Sequence, residues 1–492
     1  MVTHPSVNDD AAPAGSRRRF FGQPWALANL FGVEAWERFS FYGMQIVLLY
    51  YLTGELADGG LGISNEVGTG IIGAYGGGVY LSTILGAWIA DRLLGSERVL
   101  FYSAVLIMFG HLALAVIPGV AGVVVGLLAV AFGSGGLKAN ATSVVGTLYE
   151  EGDPRRDAGF SLFYLGINLG AFLGPLVTGF LRDRYGFHYG FGAAAVGMAL
   201  GLVQYSFGRR NFPARARQVK NPLPRPERLR WVAIGVGTLV VVVVLVLTGV
   251  IDADNLPDIV VYLTIAATVA LFAVILSSRR ITAVERRRVL AFIPLFIASA
   301  AFWSLYQQQF TVVPLYAEDQ LNRSLFGWQM PPEWVNSINP VFIIIFAGVF
   351  TAIWTKLGDR QPPTPLKFAA GTAVMGVAFL LFLPYAHAGR AGTPLVYIAL
   401  IIFAFTVAEL LLSPIGLSLS TKLAPQIFRT QMVALFFLSV ALGTAMSGVL
   451  SGYYDGDDQV PYFGILGAAA IVVGLAVFAF SRPILRLMSG VR

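Results

Sequence analysis

Residues 231–250 read WVAIGVGTLVVVVVLVLTGV, an unbroken run without a charged residue. As a helix rising about 1.5 Å per residue it is about 30 Å long, the thickness of a bilayer's hydrocarbon core. A helix on the surface of a soluble protein would carry a polar face at these positions. Working outward from this run, apolar stretches at 27–52, 67–91, 98–117, 120–148, 158–181 and 188–208 form one block of six. Stretches at 289–314, 337–356, 367–386, 394–420, 430–453 and 461–481 form a second block, and 258–278 joins 231–250 between them. The expectation is an all-α membrane protein with two six-helix bundles plus two additional transmembrane helices, fourteen spans in all. The chain then divides into a tail (1–26), a first bundle (27–208), a linker with the two extra helices (209–288), a second bundle (289–481) and a tail (482–492).

Composition agrees: of 492 residues, 56% are hydrophobic and 12% charged, where soluble domains carry about a quarter charged. There is no cysteine, which excludes disulfides, thiolate metal sites and cysteine nucleophiles. A net charge of +7 raises nucleic acid as a partner, but the placement of the charges argues against it. With the N-terminus inside, Lys and Arg concentrate in the cytoplasmic loops, and only Arg182, Arg184, Arg323 and Arg390 fall in the opposite loops. That asymmetry is the positive-inside pattern. It places both termini in the cytoplasm of a multi-pass protein of the cell's plasma membrane, and it leaves no nucleic-acid partner to invoke. The apolar segment after the polar first 24 residues, with Arg17, Arg18 and Arg19, is long and lacks a small-residue cleavage site, so it reads as a retained span.

RRNFPARARQVKNPLPRPERLR (209–230) reads as a solvated cytoplasmic tether that touches anionic lipid. GAWIADRLLGSER, with Asp91, Arg92 and Arg98, follows the second span of the first block, and WTKLGDRQ, with Asp359 and Arg360, follows the second span of the later block. Charged turns at matching places are what a duplicated carrier carries.

Five ionisable residues fall inside spans: Glu34, Glu37 and Arg38 on the first, Lys138 on the fourth and Glu409 on the tenth. Each unpaired charge at a bilayer centre costs about 2.5–3.5 kcal/mol, so these residues face an internal cavity and one another. Glu34, Glu37, Arg38, Phe41, Tyr42 and Gln45 recur at helical spacing and form one polar stripe. Such a stripe either glues helices together or lines a path, and three charges on it favour the path. The five sum to −1, which one proton or one substrate ammonium neutralises. Arg38 and Lys138 can hold a carboxylate and Glu409 an amine, so the complement of the cavity is a small zwitterion.

GVEAWERFSFYGMQ (32–45), GGLKAN (135–140), FYLGINLGAFLGP (163–175), INPVFI (338–343) and AELLLSPIGLSLSTKLAP (408–425) resemble the motifs of the proton-dependent oligopeptide transporter family, within the major facilitator superfamily. The resemblance implies import of di- and tripeptides by proton symport through alternating access. It implies proton coupling by Glu34, Glu37 and Lys138, with Lys138 pairing with those glutamates. It further implies peptide binding by Arg38, Tyr42, Tyr80, Lys138, Asn168, Trp303, Gln307, Asn339, Glu409 and Ser413. No cofactor and no metal is expected, and the partners are the peptide, protons and the lipid bilayer, with the chain acting as a monomer.

The chain departs from the family pattern at Phe41, Gln45 and Gln307, where the family usually has Tyr, Arg and Glu. The last two form a gate ion pair in many members. Loss of both partners keeps the charge sum unchanged, and the glutamines can hydrogen-bond across the gate without titrating. The expectation is an outer gate insensitive to pH. Phe436 stands where the family often has Trp, which bears on pocket shape. The alternatives are a carrier of the same fold for another small organic substrate, a weakly coupled facilitator, a peptide-sensing receptor, and most remotely an intramembrane enzyme.

Smaller signals read blandly. His111 is a hydrogen-bonded core histidine, Gly76, Gly77 and Gly78 mark close helix contact, and Pro414 beside Ser413 marks a kink in a moving helix. His4, His111, His188 and His387 lack metal-site spacing.

Overall fold

A computed structural model describes residues 19–150, 153 and 155–491; the tail residues 1–18, with Arg17 and Arg18, lie outside the described residues. The apolar stretches are helices: α1 (Trp25–Thr53), α2 (Asn65–Ile89), α3 (Ser96–Val116), α4 (Gly119–Gly146), α5 (Arg156–Tyr185) and α6 (Phe187–Gly208). The chain continues with α7 (Arg225–Leu247), α8 (Leu256–Ser277), α9 (Ala283–Tyr306), the short α10 (Val312–Asp319), α11 (Ile338–Leu357) and α12 (Thr364–Leu380). It ends with α13 (Leu395–Lys422), α14 (Arg429–Ser451), α15 (Val460–Ala479) and the short amphipathic α16 (Ser481–Met488). Thirteen segments among the described residues are long and apolar enough to cross a membrane, α9 and α10 counting as one crossing. With 29 residues, α1 is long enough as well, but Glu34, Glu37 and Arg38 lower its hydropathy. The chain is a multi-pass membrane protein. An even number of crossings puts both chain ends on one side, called here the terminal side; the opposite side is distal.

Two apolar cores are built separately. One draws Leu30, Val47, Leu100, Val130 and Phe191 from α1–α6. The other draws Phe292, Phe379, Phe405 and Phe463 from α9–α15, with Phe382 and Phe463 stacked at 4.2 Å. Lipid offers no hydrophobic drive between helices, so small residues decide where they approach. In α5, Gly166, Gly170 and Gly174 recur every fourth residue and lie against Phe31, Ala35 and Phe39 of α1, where a Cβ would meet α1 backbone atoms. Thr178 of α5 donates to the Gly43 carbonyl of α1 at 3.1 Å. The halves meet through α2 and α14, where Gly73 faces Gly448 backbone to backbone. At the start of α9, Thr282 Oγ accepts from the Glu285 amide at 3.2 Å and Glu285 returns the bond to the Thr282 amide at 2.8 Å, a capping box.

The linker corrects its reading as a tether. Glu97, buried at the start of α3, accepts from Arg209 at 2.8 Å and from Arg217 at 3.2 Å. The Asn221 and Leu223 amides donate to the Asp91 and Arg92 carbonyls at 2.9 Å. A buried carboxylate needs cations, and the linker's arginines supply them, so 209–223 is docked on the charged turn after α2. Helix α8 packs on α2 and α14, whereas α7 buries none of its residues and touches the body at Trp231, whose ring lies 5.0 Å from that of Trp88.

Candidate functional site

The charged stripe of α1 points inward. Glu34, Glu37 and Arg38 are all buried. Arg38 donates to Glu34 Oε1 through Nε at 3.0 Å and through Nη2 at 2.9 Å, and its Nε lies 3.2 Å from Glu37 Oε2. Ser134 of α4 donates to Glu37 Oε1 at 3.0 Å. Both glutamates are therefore held by the arginine of their own helix, Glu34 from one turn away and Glu37 as its chain neighbour.

Lys138 corrects a sequence expectation. No carboxylate lies within ion-pair distance of its ammonium among the described residues. Nζ sits instead 4.7 Å from the ring centroids of both Phe41 and Tyr80, a cation–π clamp. One guanidinium fork can face two carboxylates at once, and with Arg38 doing so the lysine is left to the aromatic faces. Phe41 stacks on Tyr75 at 5.9 Å, which fixes one jaw of the clamp.

Lys138 opens into a cavity of about 200 Å³ between the two halves. Its walls include Tyr42, Gln45, Tyr80, Asn168, Trp303, Gln307, Asn339 and Glu409. Eight of the expected site residues thus converge with Lys138 on one space. Glu34, Glu37, Arg38 and Ser413 are not among its lining residues: the α1 triad lies behind the aromatic wall, and Ser413 is half-buried on α13 beside Pro414. Phe436 is likewise outside the cavity, packed on Gly416, so it does not shape the pocket.

Opposite Lys138, Glu409 of α13 accepts from Tyr306 Oη at 2.6 Å and lies 3.5 Å from Asn339 Nδ2; no cation pairs with it among the described residues. Asn339 Nδ2 also donates to Thr406 at 3.0 Å. Tyr306 was missed in the sequence, although Trp303, Tyr306, Gln307 and Phe310 share the helical spacing that marked α1. Trp303 Nε1 and Gln45 Oε1 are buried without a hydrogen-bond partner. Gln307 donates to Thr444 at 3.0 Å. The expected glutamine bond across the gate is absent: Gln307 donates to the α14 hydroxyl, and Gln45 Oε1 has no partner.

The cavity is closed on its distal side. Arg182, at the end of α5, donates to buried Glu333, ahead of α11, at 2.6 Å, and lies 5.0 Å from the Tyr50 ring. Tyr50 donates to the Pro314 carbonyl at 2.9 Å, Trp334 to that of Leu176 at 3.0 Å and Ser337 to that of Phe172 at 2.8 Å. Among the described residues, these are the hydrogen bonds that join the halves, and all lie distal to Lys138. Tyr42 and Phe310 stack across the divide at 5.5 Å. Among the described residues, no hydrogen bond joins the halves on the terminal side.

His111, in α3, is fully buried with neither ring nitrogen hydrogen-bonded, against expectation. Gly76 and Gly77 do face Thr444 and Ala445 of α14, whereas Gly78 meets nothing. Helix α13 runs continuously through Pro414.

A family model described as "PTR2: POT family" matches residues 97–466. The "Uncharacterized transporter YclF" of Bacillus subtilis (strain 168) is 40% identical over 490 residues, covering 98% of this chain and 99% of that protein. The "Di-/tripeptide transporter" of Lactococcus lactis subsp. cremoris is 38% identical and covers 97% of this chain and 99% of that one. A crystal structure of peptide transporter POT in complex with sulfate superposes with a TM-score of 0.92 at 43% identity, covering 96% of this chain and 98% of that one. A POT family transporter crystallised with 5-aminolevulinic acid superposes with a TM-score of 0.89 at 38% identity, covering 95% and 98%.

Proposed function

The chain belongs to the POT family, and from that premise we propose that it is a secondary active carrier that imports di- and tripeptides by alternating access. The observation that carries this reading is a cavity between the halves with an unpaired ammonium, Lys138, on one wall and a carboxylate, Glu409, on the other. A peptide brings the complementary termini. Its carboxylate meets Lys138, its amine meets Glu409, and Asn168 and Asn339 offer amides to its backbone. Tyr42, Tyr80 and Trp303 give side chains aromatic walls, which tolerate varied sequences. The relatives are named transporters, and we read this chain as a carrier and not an enzyme.

The proton enters through the α1 triad. Glu34 Oε2 is buried without a hydrogen-bond partner. A proton there weakens the hold of Glu34 on Arg38 and adds positive charge behind Lys138, which favours the peptide carboxylate. Deprotonation reverses this and expels the peptide. With the termini in the cytoplasm, the sealed distal side is extracellular and the state is open inward. The 209–288 segment joins two bundles that rock about the cavity, and the carrier works as a monomer.

Uptake of labelled dialanine into proteoliposomes, with and without an imposed pH gradient, tests the reading. Accumulation that needs the gradient is expected, with loss in Lys138→Gln and Glu409→Gln. Accumulation of free amino acids or nitrate but not of varied dipeptides would overturn it. The second reading, a carrier of another small zwitterion or a weakly coupled facilitator, is favoured by neutral Gln45 and Gln307. Equal uptake with and without the gradient would support it.

A further inference from the structure

A second cavity, of about 840 Å³, lies on the terminal side of the second half and shares no residue with the peptide cavity. Its walls are the turn at 358–363, the start of α12, the end of α13 and α16. Lys367, Lys422 and Arg486 line it, and no carboxylate does among the residues whose side chains are described. Among the residues whose side chains are described, none of the three cations has an ion-pair partner.

Two features hold two of these cations, Lys367 and Arg486, in place before any ligand arrives. Lys367 Nζ donates to Gln361 Oε1 at 2.8 Å and lies 4.2 Å from the Trp354 ring. Helix α16 buries Ile484 and Met488, and Arg288 donates to the Met488 and Ser489 carbonyls at 3.3 and 3.1 Å. The helix end that carries Arg486 is thereby fixed. The Ser418 hydroxyl, also on the wall, has no hydrogen-bond partner among the described residues. Cations gathered without a counter-charge repel one another, and an anion between them turns that repulsion into attraction. Basic pockets between transmembrane helices at the cytoplasmic face take phosphate headgroups for this reason.

We propose that this cavity binds a phosphate-bearing anion, its oxygens accepting from Lys367, Lys422 and Arg486. The phosphodiester of an acidic phospholipid and a free phosphate share that chemistry.

The test uses the full chain in nanodiscs of phosphatidylcholine, with and without phosphatidylglycerol. Native mass spectrometry counts the phosphatidylglycerol retained, and inorganic phosphate is titrated separately in phosphatidylcholine alone, read by thermal shift. The triple variant Lys367→Gln, Lys422→Gln, Arg486→Gln is compared with Arg210→Gln, Arg225→Gln, Arg230→Gln, which removes the same charge from the docked linker and α7. Loss of retention by about tenfold or more in the first triple but not the second identifies a lipid site. Loss of the phosphate-induced shift alone identifies a soluble anion. Equal loss in both triples, or no binding by the wild type, overturns the proposal. Should the first triple fold poorly, Lys422→Gln alone, at the exposed end of α13, is expected to lose about threefold, and its unchanged binding also overturns the proposal.

Discussion

Replacing Glu333 with Gln keeps the shape of the distal seal and removes its charge. Glu333 is fully buried and Arg182 is 16% exposed, with 2.6 Å between them. Removing one partner of a buried pair costs about 3–5 kcal/mol when the other is stranded. Arg182 retains some water and the Tyr50 face, so we expect the lower figure of about 2 kcal/mol, a factor of about thirty in the closed-to-open ratio of the distal side. The chain has no cysteine, so Leu56→Cys and Phe326→Cys, both at exposed distal turns, give a unique spin-label pair across the halves. Double electron–electron resonance should show a longer-distance population growing in Glu333→Gln. Exchange of the charges, Arg182→Glu with Glu333→Arg, should restore the wild-type distribution. Replacement of both by Leu should also leave the seal nearly intact, since removing a buried pair together is close to neutral. An unchanged distribution in Glu333→Gln would refute the assignment of this pair as the seal.

Three further outcomes follow from the same geometry. Restoring Gln45→Arg together with Gln307→Glu should steepen the pH dependence of dialanine uptake, whereas Gln45→Arg alone should impair transport, because it buries a charge with no partner; identical pH profiles for the wild type and the double variant would reject a pH-insensitive gate. Gly73→Val puts a side chain against the Gly448 backbone, which cannot yield as a flexible side chain would, at about 1–3 kcal/mol; the label pair should report distal opening in a protein that still inserts. Glu97→Gln strips two arginines of their buried partner at about 3 kcal/mol, so the melting temperature should fall and limited proteolysis between Arg215 and Lys220 should be faster than in the wild type.

The sequence shows unequal legibility across the site. The Lys138 and Glu409 positions were readable because a charge in an apolar run has one economical place, an internal cavity, whatever the packing. The partners were not. Glu34, Glu37, Arg38 and Lys138 admit several pairings, and only the assembled bundle shows Arg38 taking both carboxylates while Lys138 lies against the Phe41 and Tyr80 rings. Arg182 counted merely as a distal loop charge and Glu333 gave no signal, since the two are far apart in the chain and neither lies in a periodic pattern. The linker looked solvated because its composition is polar, and composition carries no information about a buried Glu97 waiting for arginines.

Local terms were thus settled along the chain: fourteen spans from hydropathy and one polar face of α1 from helical spacing. These depend on residues within a few turns of one another. Which carboxylate meets which cation, where the halves are clasped, and that a basic cavity forms behind α16 depend on helices distant in sequence. Lipid is indifferent to how apolar helices are arranged, so these choices rest on small-residue packing and a few buried charges, which only the assembled bundle brings together.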